Sequence, residues 1–365
     1  MKRPASEPPA GPTPRIDRTR VRDLIGQRRL LARLGEKALE GDVAHAYELS
    51  GPRSIGKRTV AIRLAQTLLC TAEPRIAGGC GTCLACRKVE HFTHPDVRLV
   101  TRLIDLDKDS DKKFIAIEQI REMQQDLALR PLEGSWRVVI IDDAADLSEH
   151  AEVALLKTLE EPPIHAVLLL LTPTPARLLE TIRSRLVPLP LRLVPTAEIA
   201  EGLHKRFGAD GRRHAGAGAG RPGLAIALAS DEAQRKARRA LESEFYKLVG
   251  SGLTDRFGWA VDLAESERDP QKRNDAIESR LVGWSELARD AAVASHSAER
   301  ALRPDRARES TALANAVGQR ELVDLALSLD RWRRDVVESN VNARMLLELL
   351  VLKLPYAAAF AGAAA

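Results

Sequence analysis

The sequence is poor in cysteine, in aromatic residues and in long apolar runs. Its four cysteines all fall between Cys70 and Cys86, so a secreted scaffold held together by disulfides between distant segments is excluded. Apolar runs such as Ala166–Leu171 are far too short to span a membrane. The first residues, MKRPASEPPAGPTPR, contain no apolar signal segment. We therefore expect a protein of the reducing cytoplasm with no membrane association.

The chain also lacks a strong excess of either charge. Its 56 basic and 51 acidic residues leave a formal charge of +5, which suits work near nucleic acid but does not establish contact with it. Apolar residues make up 44% and charged residues 29% of the sequence, as in a globular protein. A length of 365 residues is too great for one core, so two or three domains are expected.

Short apolar runs in the first half of the chain predict buried parallel strands separated by amphipathic helices. Such alternation is typical of an α/β domain, in which ligands bind at the carboxyl ends of the strands. Beyond Pro195 helical periodicity replaces the strand pattern, so the whole chain is predicted to be α/β plus all-α. The predicted strands are Ala46–Ser50, Val97–Val100, Val138–Ile141, Ala166–Thr172 and, as a possible fifth, Val187–Leu191.

Composition and periodicity also predict the domain boundaries. We expect a disordered arm over residues 1–20 and an α/β domain over residues 21–192. We expect a small helical domain over residues 193–232, a longer helical domain over residues 233–356 and a tail over residues 357–365.

The four cysteines have the spacing of a metal site. Cys80, Cys83 and Cys86 form overlapping C-x-x-C pairs, and Cys70 supplies a fourth thiol. Four thiolates complete the tetrahedral shell of a structural Zn²⁺ ion, with no position left for substrate. A redox pair or a set of free thiols is the alternative, but a redox motif needs only two thiols. The sequence therefore predicts a zinc knuckle over residues 70–86.

The segment after the first predicted strand resembles a phosphate-binding loop in which one position has changed. Gly51, Gly56 and Lys57 fit the pattern G-x-x-x-x-G-K, whose backbone amides cradle phosphates. The next position should carry a hydroxyl for Mg²⁺, and Arg58 stands there instead. Thr59 is one helical step away and points about 100° from the site. A guanidinium repels a divalent cation, so this change argues against ATP hydrolysis.

A pair of carboxylates follows the third predicted strand. Asp142 is suited to hold Mg²⁺ through water, and Asp143 stands where a glutamate usually polarises the attacking water. Aspartate is one methylene shorter, and a displacement of about 1 Å can cost on the order of 100-fold in rate. Efficient hydrolysis is not expected at this degenerate nucleotide site. Binding of ATP and Mg²⁺ without turnover, and retention of the loop for packing alone, both stay open.

Several segments in fixed order carry a resemblance to a known family. They are HAYELSGPRSIGKRT, the four-cysteine segment, HPDVRLV, IAIEQIREM, GSWRVVIIDDAADL, ALLKTLEEPP and LLETIRSRL. The chain resembles the delta-prime subunits of the bacterial DNA polymerase III clamp loader, which belong to the AAA+ class. The similarity is dense from about Asp23 to Leu189 and returns weakly at NVNARMLLELLVLKL.

The resemblance implies an AAA+ P-loop domain with an inserted zinc knuckle, a small helical lid and a C-terminal helical collar. It also implies a hetero-pentamer with gamma/tau motor subunits and a delta subunit, which loads the sliding clamp onto primed DNA during replication. That complex is part of the DNA polymerase holoenzyme, a nucleotidyltransferase. Delta-prime subunits act in it as a stator and typically lack ATPase activity.

In the family, the arginine of a Ser-Arg-Cys element reaches the ATP site of the adjacent motor subunit. The matching residue here is Arg185, preceded by Ser184 and followed by Leu186 instead of cysteine. Such an arginine finger contributes about 10³-fold or more in related systems. The alternative function is an active gamma/tau-like ATPase motor, which normally keeps the hydroxyl that Arg58 replaces.

Two acidic residues end the helix predicted from Glu149. Glu160 and Glu161 oppose the helix dipole there, at roughly 0.3–1 kcal/mol each when exposed. We expect this pair to face basic groups, either across a subunit interface or on a charged loop of its own domain.

Overall fold

The computed structural model describes residues 24–102, 104–105, 110–111, 114–267, 270–296, 306–338 and 342–361. The arm predicted over residues 1–20 lies outside them. The described residues divide into two compact units, with the boundary between Val194 and Pro195. Within this part of the chain, no helix combines the length and the apolar content needed to cross a membrane.

The first unit alternates strands and helices. Its strands are β1 Ala46–Ser50, β2 Val97–Val100, β3 Ile104–Asp105, β4 Ser110–Asp111, β5 Arg137–Ile141, β6 Ala166–Thr172 and β7 Val187–Pro190. Its helices are α1 Arg28–Glu40, α2 Lys57–Leu69, α3 Leu84–Glu90, α4 Ile117–Ala128, α5 Glu149–Glu160 and α6 Glu180–Arg183.

Five strands form one parallel sheet in the order β2-β5-β6-β1-β7. They are the five strands predicted from the apolar runs, and the predicted parallel α/β arrangement is confirmed. The short strands β3 and β4 pair antiparallel in a separate hairpin. β1 lies inside the sheet between β6 and β7, and the loop that follows it leaves the carboxyl edge, where parallel sheets bind ligands.

Both faces of the sheet are buried, so the sequences of its strands are nearly continuous apolar runs. Alternate residues serve opposite faces. Leu49, Ile140 and Leu169 join one core with α2, while Ile141 and Leu170 join the other with α4 and α5. The sheet is therefore held between two apolar layers, which fix the positions of the loops at its carboxyl edge.

The described residues of the second unit form helices joined by short connections and no strand, as predicted beyond Pro195. Phe245 and Trp284 are fully buried in its core, with ring centroids 5.6 Å apart. Phe360 stacks on Tyr246 at 5.0 Å, so the chain packs against this core as far as residue 360. The helices are α7 Thr196–Arg212, α8 Pro222–Ser230, α9 Glu232–Gly250, α10 Leu253–Glu265, α11 Pro270–Ala294, α12 Ala307–Val317, α13 Gln319–Glu338 and α14 Ala343–Lys353.

Candidate functional site

The loop between β1 and α2 has the backbone of a phosphate-binding loop. Gly51 and Gly56 have φ values of 143° and 107°, which other residues rarely adopt. A side chain at Gly51 would also come within 2.9 Å of the Leu191 carbonyl oxygen. Ile55 is buried and fixes the loop to the domain core. The two glycines therefore let the chain turn sharply from the strand into the helix.

Lys57, the first residue of α2, points back into this loop. Its Nζ donates hydrogen bonds to the carbonyl oxygens of Gly51 and Pro52, at 2.7 and 3.1 Å. Burial lowers the pKa of Lys57 to about 8, while the charges of Asp143 and Asp142 act in the opposite direction. The ammonium group is thus hydrogen-bonded inside its own loop.

Arg58 forms an ion pair with Asp142, the residue that follows β5. The Arg58 Nε donates to Asp142 Oδ2 at 2.5 Å, and Nη2 contacts the same oxygen. The other oxygen, Oδ1, accepts from the backbone N–H of Asp143 at 3.1 Å. Both oxygens of this buried carboxylate are therefore engaged within the chain, and its charge is neutralised by the residue in the hydroxyl position.

Asp143 stands at a sharply bent position. Its φ of 55° lies in the left-handed region, and its backbone carbonyl accepts from the N–H of Asp146 at 2.8 Å. The structure thus brings Gly51, Gly56, Lys57, Arg58, Asp142 and Asp143 together at the carboxyl edge of the sheet.

Asp146 belongs to the same edge and was not singled out from the sequence. It lies 3.3 Å from Arg102 and 3.6 Å from Arg177, and burial raises its pKa. Its only sequence signal is its place four residues after Asp142. Since both arginines come from other loops, their approach could not be read from the motif.

The four cysteine sulfur atoms cluster at the end of α2 and the start of α3. They all lie within 4.8 Å of one another, with Cys70 and Cys83 4.0 Å apart and Cys80 and Cys86 3.9 Å apart. A tetrahedral ion with Zn–S bonds of about 2.3 Å requires S···S separations of about 3.8 Å. The cluster therefore has the dimensions of a four-thiolate metal site.

Hydrogen bonds support this cysteine cluster from the protein side. The backbone N–H groups of Cys83 and Cys86 point at the sulfur atoms of Cys80 and Cys83, at 3.3 and 3.4 Å. The Thr82 hydroxyl also donates to Cys80. Hydrogen bonds from Thr82 and from the Cys83 backbone lower the pKa of Cys80 to about 5. The Gln66 side chain donates to the Cys86 carbonyl at 2.9 Å and ties the knuckle to α2. This surrounding favours the thiolate form of Cys80, whereas burial raises the pKa of Cys86.

Arg185 follows α6 on a different loop of the first unit. Its Nη2 donates to Glu160 Oε1 and its Nη1 to the Thr181 carbonyl, both at 2.8 Å. Glu160 thus meets a basic group of its own domain, one of the two expectations stated for the acidic pair. Among the described contacts, Glu161 has no side-chain partner. The Arg185–Glu160 pair itself was missed from the sequence, because 25 residues separate its members.

Comparison with known proteins agrees with this geometry in the first unit. Residues 26–195 match the family model described as DNA polymerase III, delta subunit. The chain is 40% identical over 168 residues to DNA polymerase III subunit delta' of Pseudomonas aeruginosa, covering 45% of this chain and 48% of that protein. It is 36% identical over 185 residues to DNA polymerase III subunit tau of Salmonella typhimurium, covering 50% of this chain and 27% of that protein. The chain thus spans about half or less of the length of these relatives.

A solved structure of a DNA polymerase III gamma subunit-related protein from Thermotoga maritima aligns with 90% of this chain and 98% of its own. The identity is 17% and the TM-score is 0.41.

The parallel sheet, the glycine-containing loop after β1 and the carboxylates after β5 define an α/β domain with a P-loop-like segment. Over residues 26–195, the chain is similar to subunits of the DNA polymerase III clamp loader. Similarity alone covers both delta' and the tau and gamma subunits.

Proposed function

We propose that this chain is a delta-prime-like, non-hydrolysing subunit of a bacterial DNA polymerase III clamp loader. The observation that carries the proposal is the ion pair between Arg58 and Asp142. Hydrolysis of ATP needs a Mg²⁺ ion held by the loop hydroxyl and by a carboxylate at the end of a neighbouring strand. Here the hydroxyl position carries a guanidinium, and that guanidinium binds the carboxylate. One substitution thus removes both protein ligands of the metal.

The same chain supplies an arginine to another subunit in this proposal. Arg185 is a partly exposed guanidinium, with 35% of its side chain accessible, on a loop between two buried segments. A guanidinium keeps its charge at every physiological pH and matches phosphate oxygens with a rigid fork of N–H groups. Placed against the ATP site of a neighbouring motor subunit, it would stabilise the charge that develops during phosphoryl transfer.

The proposed assembly is a hetero-pentamer of this chain with gamma/tau motor subunits and a delta subunit in the cytoplasm. Through that complex the chain would act on the sliding clamp and primed DNA. Cys70, Cys80, Cys83 and Cys86 would hold a structural Zn²⁺ ion, whose role is to fix the knuckle between α2 and α3. The helices of the second unit would form the lid and the oligomerisation collar.

The rate of ATP turnover by the purified chain tests the proposal against an active motor. We expect the chain alone to hydrolyse Mg·ATP no faster than its Lys57→Ala variant, which lacks the loop ammonium. Turnover at ordinary AAA+ rates that Lys57→Ala abolishes would identify a motor and refute the proposal.

The complex reconstituted with motor and delta subunits tests the role of Arg185. Arg185→Ala should lower DNA-stimulated ATP turnover while the complex still assembles at the same stoichiometry. Unchanged turnover would refute the assignment of Arg185.

A further inference from the structure

The backbone around Arg185 is fixed by buried neighbours. Ile182 and Leu186, on either side of it, are both buried in the core between the sheet and α5. The position of the Arg185 backbone is therefore set by the domain, and the freedom that is left belongs to its long side chain. A guanidinium that must meet a phosphate in one geometry loses that freedom when it acts.

The contacts of the guanidinium restrict this freedom before any partner arrives. Nη2 donates to Glu160 at 2.8 Å, and Nη1 donates to the Thr181 carbonyl at 2.8 Å and to the Ser184 hydroxyl at 3.4 Å. In the part of the chain that the structure describes, Nε–H and one hydrogen of Nη2 have no partner. The guanidinium is thus held by some of its donors while others remain for an incoming anion.

Glu160 has a backbone position fixed by α5 and a side chain that is 51% exposed, so its ion pair with Arg185 lies at the surface. It is the last residue of α5, whose Leu155 and Leu159 are buried in the core. A carboxylate at this end of a helix opposes the helix dipole, so the position is unfavourable by local rules. Departures from local rules tend to occur at functional positions. The partner of this carboxylate is the arginine proposed to act on the neighbouring subunit.

We infer that Glu160 is a positioning residue for Arg185, holding the guanidinium in place while its remaining N–H groups meet the phosphate of ATP in the neighbouring motor subunit. The inference rests on the function proposed above. Glu160 itself touches neither nucleotide nor water in this scheme. Without Glu160 the Arg185 side chain is less restricted before it acts, so its contribution to the rate of ATP hydrolysis should fall by about 3- to 10-fold.

The test uses the complex reconstituted with motor and delta subunits, in which DNA-stimulated ATP turnover is measured. The part of kcat that depends on Arg185 is the difference between the wild-type complex and the Arg185→Ala complex. Glu160→Ala should reduce that part by about 3- to 10-fold and leave the KM for ATP within about 2-fold. Glu160→Gln keeps an oxygen that accepts from Nη2, so it should retain most of the wild-type rate.

Two controls separate positioning from a structural effect. Glu161→Ala removes the neighbouring carboxylate, which has no side-chain partner among the described contacts, and should leave kcat unchanged. Adding Glu160→Ala to Arg185→Ala should cause no further loss, because Glu160 acts only through Arg185. Where Glu160→Ala prevents assembly, Glu160→Asp, one methylene shorter, takes its place with a smaller expected loss.

The outcomes distinguish this inference from the proposed function. If Arg185→Ala lowers turnover but Glu160→Ala and Glu160→Asp do not, the positioning role is wrong and the function of Arg185 stands. The positioning role is also wrong if Glu160→Ala lowers turnover equally with and without Arg185. If Arg185→Ala has no effect, both the proposed function of Arg185 and the inference fail together.

Discussion

Removal of the buried guanidinium of Arg256 should strongly destabilise the helical unit. Arg256 lies on α10, and its side chain donates five hydrogen bonds to backbone carbonyls near the carboxyl ends of α9 and α14. The last carbonyls of a helix have no partner within the helix. One side chain therefore completes the ends of two helices and joins them. The acceptors are Leu248, Val249, Val351, Leu354 and Pro355.

The magnitude follows from the number of carbonyls left without a partner. At about 1 kcal/mol for each of five hydrogen bonds, Arg256→Met forfeits about 5 kcal/mol. Burying a guanidinium is itself unfavourable, and burial lowers the pKa of Arg256 for the same reason. Removing the guanidinium relieves that unfavourable burial and offsets about 2 kcal/mol of the lost stability. We therefore expect a net loss of about 3 kcal/mol in the free energy of unfolding, a large share of the stability of a typical domain.

Urea unfolding followed by tryptophan fluorescence measures this loss, since Trp259 and Trp284 belong to the same core. Arg256→Lys is the matched control. It keeps the charge and part of the hydrogen bonding, so we expect it to lose about half as much. A loss below about 1 kcal/mol for Arg256→Met would show that water replaces the guanidinium at these carbonyls and would refute the reasoning.

Three further predictions concern the metal site, a buried ion cluster and the phosphate loop. Cys86→Ser should abolish the binding of one zinc equivalent and lower the melting temperature. A wild-type protein that is purified without metal, and whose melting temperature does not change when Zn²⁺ is added, would contradict this. Glu286→Gln removes the charge that faces Arg221 and Arg238 in a largely buried cluster and should cost about 3 kcal/mol in urea unfolding; a cost below 1 kcal/mol would show that the amide replaces the carboxylate. Because burial lowers the pKa of Lys57 from 10.5 to about 8, the unfolded chain binds the proton between those values and the folded chain does not. Between pH 8 and pH 10.5 the free energy of unfolding of the wild-type protein should therefore rise, by up to about 3 kcal/mol more than that of Lys57→Met. An equal pH dependence of the two proteins would refute this prediction.

The sheet could be predicted from the sequence because its strands are buried on both faces. Runs such as Ala166–Thr172 contain no polar interruption, and that strand has the bounds predicted from its composition. The bounds of α5 were also predicted, and Ser148 caps this helix in the structure. Local sequence was sufficient wherever burial or a cap determined the structure.

The partners of the charged residues could not be predicted in the same way. Arg58 and Asp142 are separated by 84 positions, and their contact depends on β1 and β5 lying near each other in the sheet. The sequence identified both residues by their places in a motif, but not their ion pair. In the helical unit, periodicity predicted helices, whereas the burial of Arg256 against the ends of two others is a property of tertiary packing alone.

In the proposed function, Arg58 closes one phosphate site while Arg185 remains available to another. The Nε and Nη2 donors of Arg58 both contact one oxygen of Asp142, so the side of the guanidinium that best matches a phosphate is already occupied. Arg185 is held through Nη1 and Nη2, and its Nε–H has no partner among the described residues. The first arrangement neutralises the Asp142 carboxylate inside the domain. The second leaves a fixed, partly exposed cation with unused donors, which is what a neighbouring ATP site would require.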